Sequence, residues 1–146
     1  SLKQQAWNCT GPGSSAAQGN SVTTAKVNIG SSLSVGTSKY GRRTIIPITG
    51  GTVSGTGLSG SVSAGGADYQ LSTNAGYQIE ARYTIKASNG EYIVVRNCGD
   101  FGTSDLTNIL FEAKKDGAYN WLNTGSFVGT LTTGIGRVTI GVYERK

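Results

Sequence analysis

The feature that most restricts the fold is the alternation between Tyr77 and Ala87. Ile79, Ala81, Tyr83 and Ile85 fall on one side, and Glu80, Arg82, Thr84 and Lys86 on the other. That period of two belongs to a strand with one buried face. Ser88-Asn89-Gly90 then leads into a second alternating run, Glu91 to Asn97. Asn-Gly between two such runs is a strong hairpin signal, because a type I′ turn needs positive φ at both central residues. Upstream, Ala67 to Ser72 joins through Thr73-Asn74-Ala75-Gly76, so three consecutive antiparallel strands are predicted. Asp68, Glu80, Arg82 and Arg96 are then carried on adjacent strands, where opposite charges can meet. If this polar set faces a cavity it is the site; if it faces water it is a solvated sheet surface.

The rest of the chain repeats the pattern. Ala25, Val27 and Ile29 alternate up to Gly30, and Leu33 and Val35 lie on a short irregular link to Gly41. Arg42 to Thr49 is rich in β-branched residues. Pro47 within it cannot donate to a ladder, so it marks an edge, a bulge or a bend. Gly50-Gly51 is expected to turn the chain toward Thr52-Val53 and Gly57 to Ser63. Leu106 to Ala113, Ala118 to Thr132 (interrupted at Asn123-Thr124-Gly125 and Gly129) and Arg137 to Glu144 complete the set. Only Ser104 to Phe111 carries a helical alternative. Residues 1–24, a low-complexity mix around Trp7, read as an irregular arm, which leaves a β domain over 25–146. Eight to ten strands with short connections make an all-β fold. Such chains remove exposed edges by closing into an antiparallel barrel, and one of this size can hold a small ligand.

Composition matters chiefly for what it excludes. The 146 residues suffice for one domain with a real core. A hydrophobic content of 36% with 23 glycines is compatible with disorder, and the regular alternation from Lys26 onward decides against it. No apolar run approaches the ~18–20 residues that span a bilayer, so the expected protein is soluble and membrane-free. The net charge of +5 raises the question of nucleic acid. The basic residues are scattered, however, and Arg42-Arg43 and Lys114-Lys115 are only short pairs, so no phosphate-tracking stripe forms and no nucleic-acid partner is expected.

The absence of histidine removes Ser-His-Asp and Cys-His mechanisms and the usual zinc and iron ligand sets. The eight carboxylates show no calcium-loop spacing, and no metal is expected. Gly55-Thr56-Gly57-Leu58-Ser59-Gly60 matches G-x-G-x-x-G, but a strand rather than a helix follows, so the glycines read as bends and no cofactor is expected. Cys9 and Cys98 are two free thiols or one long-range disulfide; a loop of that length is worth on the order of 4–5 kcal/mol. Asn8-Cys9-Thr10 is a glycosylation sequon, which favours the bridge. With no methionine anywhere, the start reads as processed, and a secreted protein is the expectation.

The ordered motifs also carry a resemblance. They run from Gly41-Arg42-Arg43 into Pro47-Ile48-Thr49-Gly50-Gly51, then Gly65-Gly66-Ala67-Asp68-Tyr69-Gln70 and Ala81-Arg82-Tyr83. Asn89-Gly90, Val95-Arg96-Asn97, Gly99, Trp121-Leu122-Asn123, Phe127-Val128-Gly129 and Val142-Tyr143-Glu144 continue it. Over Lys26 to Glu144 the chain resembles the family of domain of unknown function 3237, also called UPF0311. The resemblance implies a compact β-barrel, lipocalin-like in outline, and brings no settled activity. Tyr69 stands where that pattern has tryptophan, and Glu80 where aspartate is common.

The candidate catalytic residues are Asp68, Arg82, Arg96 and Glu112. Asp68 follows Gly65-Gly66, where the chain can pass close to a ligand, and across the strand pair it can form a bidentate ion pair with Arg82. A structural salt bridge is the plainer alternative. Arg96 shares its face with Tyr92 and Val94 and is the candidate anion-binding group, while Asn97 points the other way. Glu112, beside Phe111, is either a proton carrier or an ordinary exposed glutamate. For substrate binding, Trp121 and Asn123 are expected on one strand face, an aromatic wall with an amide. Tyr40, Tyr83 and Tyr143 are proton donors or packing residues. These groups support an isomerase, cyclase, hydratase or epoxide-opening enzyme that acts on a small oxygenated organic molecule by acid–base chemistry. The alternatives are a barrel that binds a small ligand without converting it and a structural protein, with homo-oligomers left open.

Overall fold

The computed structural model describes residues 17–74, 76–99 and 105–146. Ten strands and one helical turn account for them: β1 (Gln18–Ile29), β2 (Leu33–Ser38), β3 (Gly41–Ser54), β4 (Gly60–Val62), β5 (Ala67–Thr73), β6 (Gly76–Ala87), β7 (Tyr92–Gly99), β8 (Asp105–Glu112), α1 (Trp121–Thr124), β9 (Phe127–Gly134) and β10 (Arg137–Arg145). From β3 the sheet runs through β4 and β5 to β6, β7, β8, β9, β10 and β1, and β1 returns to β3. The result is a closed eight-position antiparallel barrel.

Ten strands fill eight positions because β3 is long and its neighbours come in pieces. Its first half pairs with β2 and β5, and its second half with β1 and β4. Pro47 falls at that handover, where Gly30 N–H donates to its carbonyl (2.9 Å) and Ile48 N–H to Gly66 O (2.8 Å). A residue without an N–H is tolerated at such a junction.

Four local expectations need correction. Gly50-Gly51 does not turn the chain: β3 runs through it, with φ of 153° and 147°. A Cβ on Gly51 would meet the Lys26 carbonyl, so glycine lets β1 and β3 lie close there. Leu33 and Val35 belong to a paired strand, β2, and β1 already begins at Gln18 within the stretch read as an arm. Ala118 to Thr124 is a turn and α1 rather than strand, because Asn123 supplies backbone-like partners. Its Oδ1 accepts from Ala113 N–H (2.8 Å) and its Nδ2 donates to Ala113 O (3.0 Å), which folds the segment back on β8. Conversely, Leu106 to Phe111 is strand throughout.

That folded-back segment closes one end of the barrel. Leu122 is 1% exposed and inserts among the core residues that include Val22, Leu58, Ile93 and Phe127. Phe111 packs edge-on against Phe127 with ring centroids 5.1 Å apart, and Trp121 covers Phe127 at 6.1 Å. Burial of such side chains supplies roughly 1.5–3 kcal/mol each. The opposite end is not filled in this way.

Candidate functional site

At that opposite end the interior encloses a hollow of about 120 Å3. Its walls are mainly aliphatic, with Val27, Ile48, Ile79, Leu106, Leu131 and Ile140 among them. Into this surface project Asp68, Gln70, Tyr83, Asn97 and Thr133.

The sheet register places them. Asp68 pairs with Ala81, and Ala81 with Asn97, so three adjacent strands contribute one row facing inward. Gln70 follows two residues after Asp68 on the same face, and its Nε2 donates to Asp68 Oδ2 (2.8 Å). The Tyr77 hydroxyl, at the rim and 42% exposed, donates to Gln70 Oε1. Asn97, 1% exposed, donates from Nδ2 to the Tyr83 hydroxyl oxygen (3.2 Å).

Two acceptors in this row are left over. Asp68 Oδ1 and Asn97 Oδ1 are both cut off from solvent and have no hydrogen-bonding partner among the described residues. Native interiors satisfy nearly all such atoms, and an orphan in a low-dielectric site costs about 1–3 kcal/mol. Burial pushes the Asp68 carboxyl above its ordinary value; the Gln70 side chain and the Glu80 backbone N–H pull it back, and the Glu80 charge adds to the rise. Complete burial pushes the Tyr83 phenol up to about 12, against a lowering by Asn97, so it is a neutral hydroxyl at physiological pH. The set offers a carboxyl with raised proton affinity, a neutral phenol and an amide in an apolar chamber. That combination can move protons on a bound molecule.

The structure separates residues that the charge pattern had grouped. Asp68 and Arg82 lie on adjacent strands but opposite faces, since Arg82 pairs with Ala67, outside the row that holds Asp68. The expected ion pair between them is therefore replaced by Gln70 on Asp68. Arg82 and Arg96 sit directly opposite each other on the outer face of β6 and β7. Burial lowers the Arg96 pKa, and the Arg82 charge lowers it further, whereas Glu80 and Glu112 raise it. Glu112 is exposed and pairs with Val94 on that same outer face. Arg82, Arg96 and Glu112 are thus absent from the hollow.

A Cβ on Gly66 would meet the Arg82 carbonyl, so glycine lets the chain lie close against β6 there. Trp121 and Asn123 are on α1, at the plugged end. Trp121 is 41% exposed, and Asn123 is occupied with Ala113 and with Asn120 Oδ1 (3.0 Å). Tyr40 stands at the β2–β3 turn, 63% exposed, with the Lys39 ammonium 5.2 Å from its ring centroid. Tyr143 is on the opposite face of β10 from the inward Ile140 and Val142. Of the sequence candidates, Asp68 and Tyr83 reach the hollow. Gln70, Tyr77 and Asn97 were not among them, although period-two spacing from Asp68 points to Gln70.

Among the described residues, no three carboxylates or thiols gather in a way that could hold a metal ion. Cys98 is buried and engaged rather than free, on the outer face opposite Glu80. Trp7, Asn8 and Cys9 lie outside the described residues, so the Cys9–Cys98 bridge and the glycan at Asn8 stay proposals.

A closed antiparallel barrel, plugged at one end and hollow at the other with polar groups on the hollow wall, defines the class of small β-barrel proteins. Within it, the chain belongs to the family described as protein of unknown function (DUF3237), whose model matches residues 18–106. A UPF0311 protein of Rhodopseudomonas palustris is 34% identical over 143 residues, covering 84% of this chain and 93% of its own. A solved β-barrel-like protein of Acinetobacter baumannii superposes with a TM-score of 0.77 at 26% identity, covering 87% of this chain and 94% of its own. A crystal structure described as an enzyme from Penicillium herquei shares the fold, with a TM-score of 0.69 at 23% identity and coverage of 89% and 98%.

Proposed function

We propose that the protein is an enzyme that moves a proton on a small oxygenated organic molecule held in the barrel hollow, with Asp68 as the acid–base group. One observation carries this reading: a carboxylate oxygen, Asp68 Oδ1, is buried without a partner against aliphatic walls. Desolvation makes that carboxylate a stronger base than a free one. It accepts a proton from a substrate O–H or C–H; the bonding electrons stay in the substrate, and the proton returns at another atom. Isomerisation, cyclisation, hydration and epoxide opening all fit this scheme, and none needs an oxidant. Gln70 holds the carboxylate in place, the Tyr83 hydroxyl donates to a substrate oxygen, and Asn97 Oδ1 accepts from a substrate O–H. The enzyme from Penicillium herquei is a precedent for catalysis on this fold.

The test is turnover of a panel of small cyclic ketones and epoxides, followed by NMR in deuterated water. Wild-type protein is expected to incorporate deuterium or convert at least one compound, and Asp68→Asn to lose that activity with its circular dichroism intact. Equal rates in the two proteins would refute the assignment. The same hollow also suits a carrier; saturable binding with the ligand recovered unchanged by both proteins would establish that second reading. An extracellular setting belongs to the proposal too and is supported by the Asn8-Cys9-Thr10 sequon alone. An unglycosylated product from a eukaryotic secretory host would count against it.

A further inference from the structure

We propose that the hollow takes a neutral, single-ring molecule with two hydrogen-bond donors, a cyclic diol or dihydroxy aromatic, laid across Ala81 between Asp68 and Asn97. This rests on the hollow being the functional site, as above, and adds what fills it. Asp68, Ala81 and Asn97 occupy one cross-strand row. With strands about 4.8 Å apart, the two polar residues stand roughly 10 Å apart at the backbone, and both project inward. Between them Ala81 contributes only a methyl group, which leaves a floor on which a flat ring can rest.

Both ends of the row present the same chemistry. Asp68 Oδ1 and Asn97 Oδ1 are acceptors without partners, while the other polar atom of each side chain is already bonded, Oδ2 to Gln70 and Nδ2 to Tyr83. An occupant that satisfies both must supply a donor at each end. The volume of about 120 Å3 sets its size. An apolar cavity of about 150 Å3 engineered in another protein takes up benzene, so a smaller hollow limits the occupant to a single ring and excludes two fused ones. Among the described residues no lysine or arginine lines the hollow, so a carboxylate or phosphate would lie unpaired beside Asp68.

The test is binding to the purified full chain by calorimetry, with no turnover required. The probes are 1,3-dihydroxybenzene, its dimethyl ether, benzoate and cyclohexylamine. The dihydroxy compound is expected to bind saturably and at least tenfold more tightly than the ether, which has the same ring without donors. Benzoate and cyclohexylamine are expected to bind more weakly than the diol. Ala81→Leu, which fills the floor, is expected to abolish diol binding. Asp68→Asn and Asn97→Leu should each narrow the preference for diol over ether about tenfold. Equal affinity for diol and ether, a preference for either charged probe, or unchanged binding by Ala81→Leu would overturn the proposal. A diol that binds and is never converted would keep this inference and remove the enzyme reading; turnover of a compound without paired donors would do the reverse.

Discussion

Asp68 gives the fold a pH dependence that a single substitution isolates. Its carboxyl has an ordinary value of 3.8, and in the folded chain burial raises it. A group with a raised folded pKa binds its proton more tightly in the native state. Between the two pKa values the unfolded chain therefore holds fewer protons than the folded one, and unfolding free energy falls as pH rises. The contribution is fully present below pH 3.8, is lost as pH climbs through the raised folded value, and is level above it. The slope inside the window is at most about 1.4 kcal/mol per pH unit for one proton. Asp68→Asn keeps an acceptor for Gln70 and abolishes the titration. Urea midpoints of both proteins, from below pH 3.8 to neutrality, should show wild type losing stability relative to the variant through that window. Carboxylates that do not sense the Asp68 charge cancel in the difference; Glu80, which does, contributes the smallest of the interactions at Asp68. A difference that is constant with pH, or that grows in favour of wild type as pH rises, would refute the claim that burial dominates at this carboxyl.

Other substitutions probe the two ends separately. Tyr83→Phe strands the buried Asn97 amide and should lower stability by about 1–3 kcal/mol in urea unfolding. Adding Asn97→Leu should recover part of that loss, since neither polar group then lacks its partner; strictly additive losses would show the pair is not coupled. Leu122→Ala opens a cavity at the plugged end and should cost about 2–5 kcal/mol by the same assay, with diol affinity unchanged at the other end. The Cys9–Cys98 bridge predicts a gain of two hydrogens in intact mass on reduction, whereas alkylation of both thiols without reductant would exclude it.

The faces of individual strands were legible in the sequence, and the phase between strands was not. On β6 the inward set of Ile79, Ala81, Tyr83 and Ile85 is the one the alternation names. On β7, Arg96 shares the outer face with Tyr92 and Val94, as expected from spacing. The pairing of β5 with β6 is the step that charge complementarity misjudged. Asp68 opposite Ala81 points inward, and a slip of one residue reverses the face of the whole strand. Asn123 shows a related ambiguity: an amide in an extended-looking segment suits a pocket or a backbone clamp equally, and its partner is the peptide of Ala113. Four residues of α1 are too few to show a helical period.

On the proposed reading, the two halves of the barrel divide stability from recognition. A core filled to native density leaves no room for a ligand, while a hollow with orphaned acceptors sacrifices packing and hydrogen bonding together. Here Leu122, Leu58 and Phe127 close one end with side chains that carry no polar atoms. At the other end Asp68 and Gln70 on β5 and Asn97 on β7 stand at inward positions beside Ile79, Ala81, Tyr83 and Val95. Polar residues at inward positions break the binary pattern, and such breaks persist where a bound molecule supplies the missing partner. An Asp68→Leu, Asn97→Leu variant should accordingly be more stable than wild type and unable to bind the diol. A double variant that is less stable would mean that the row is held together by bonds within the protein, and that the hollow is not built around an occupant.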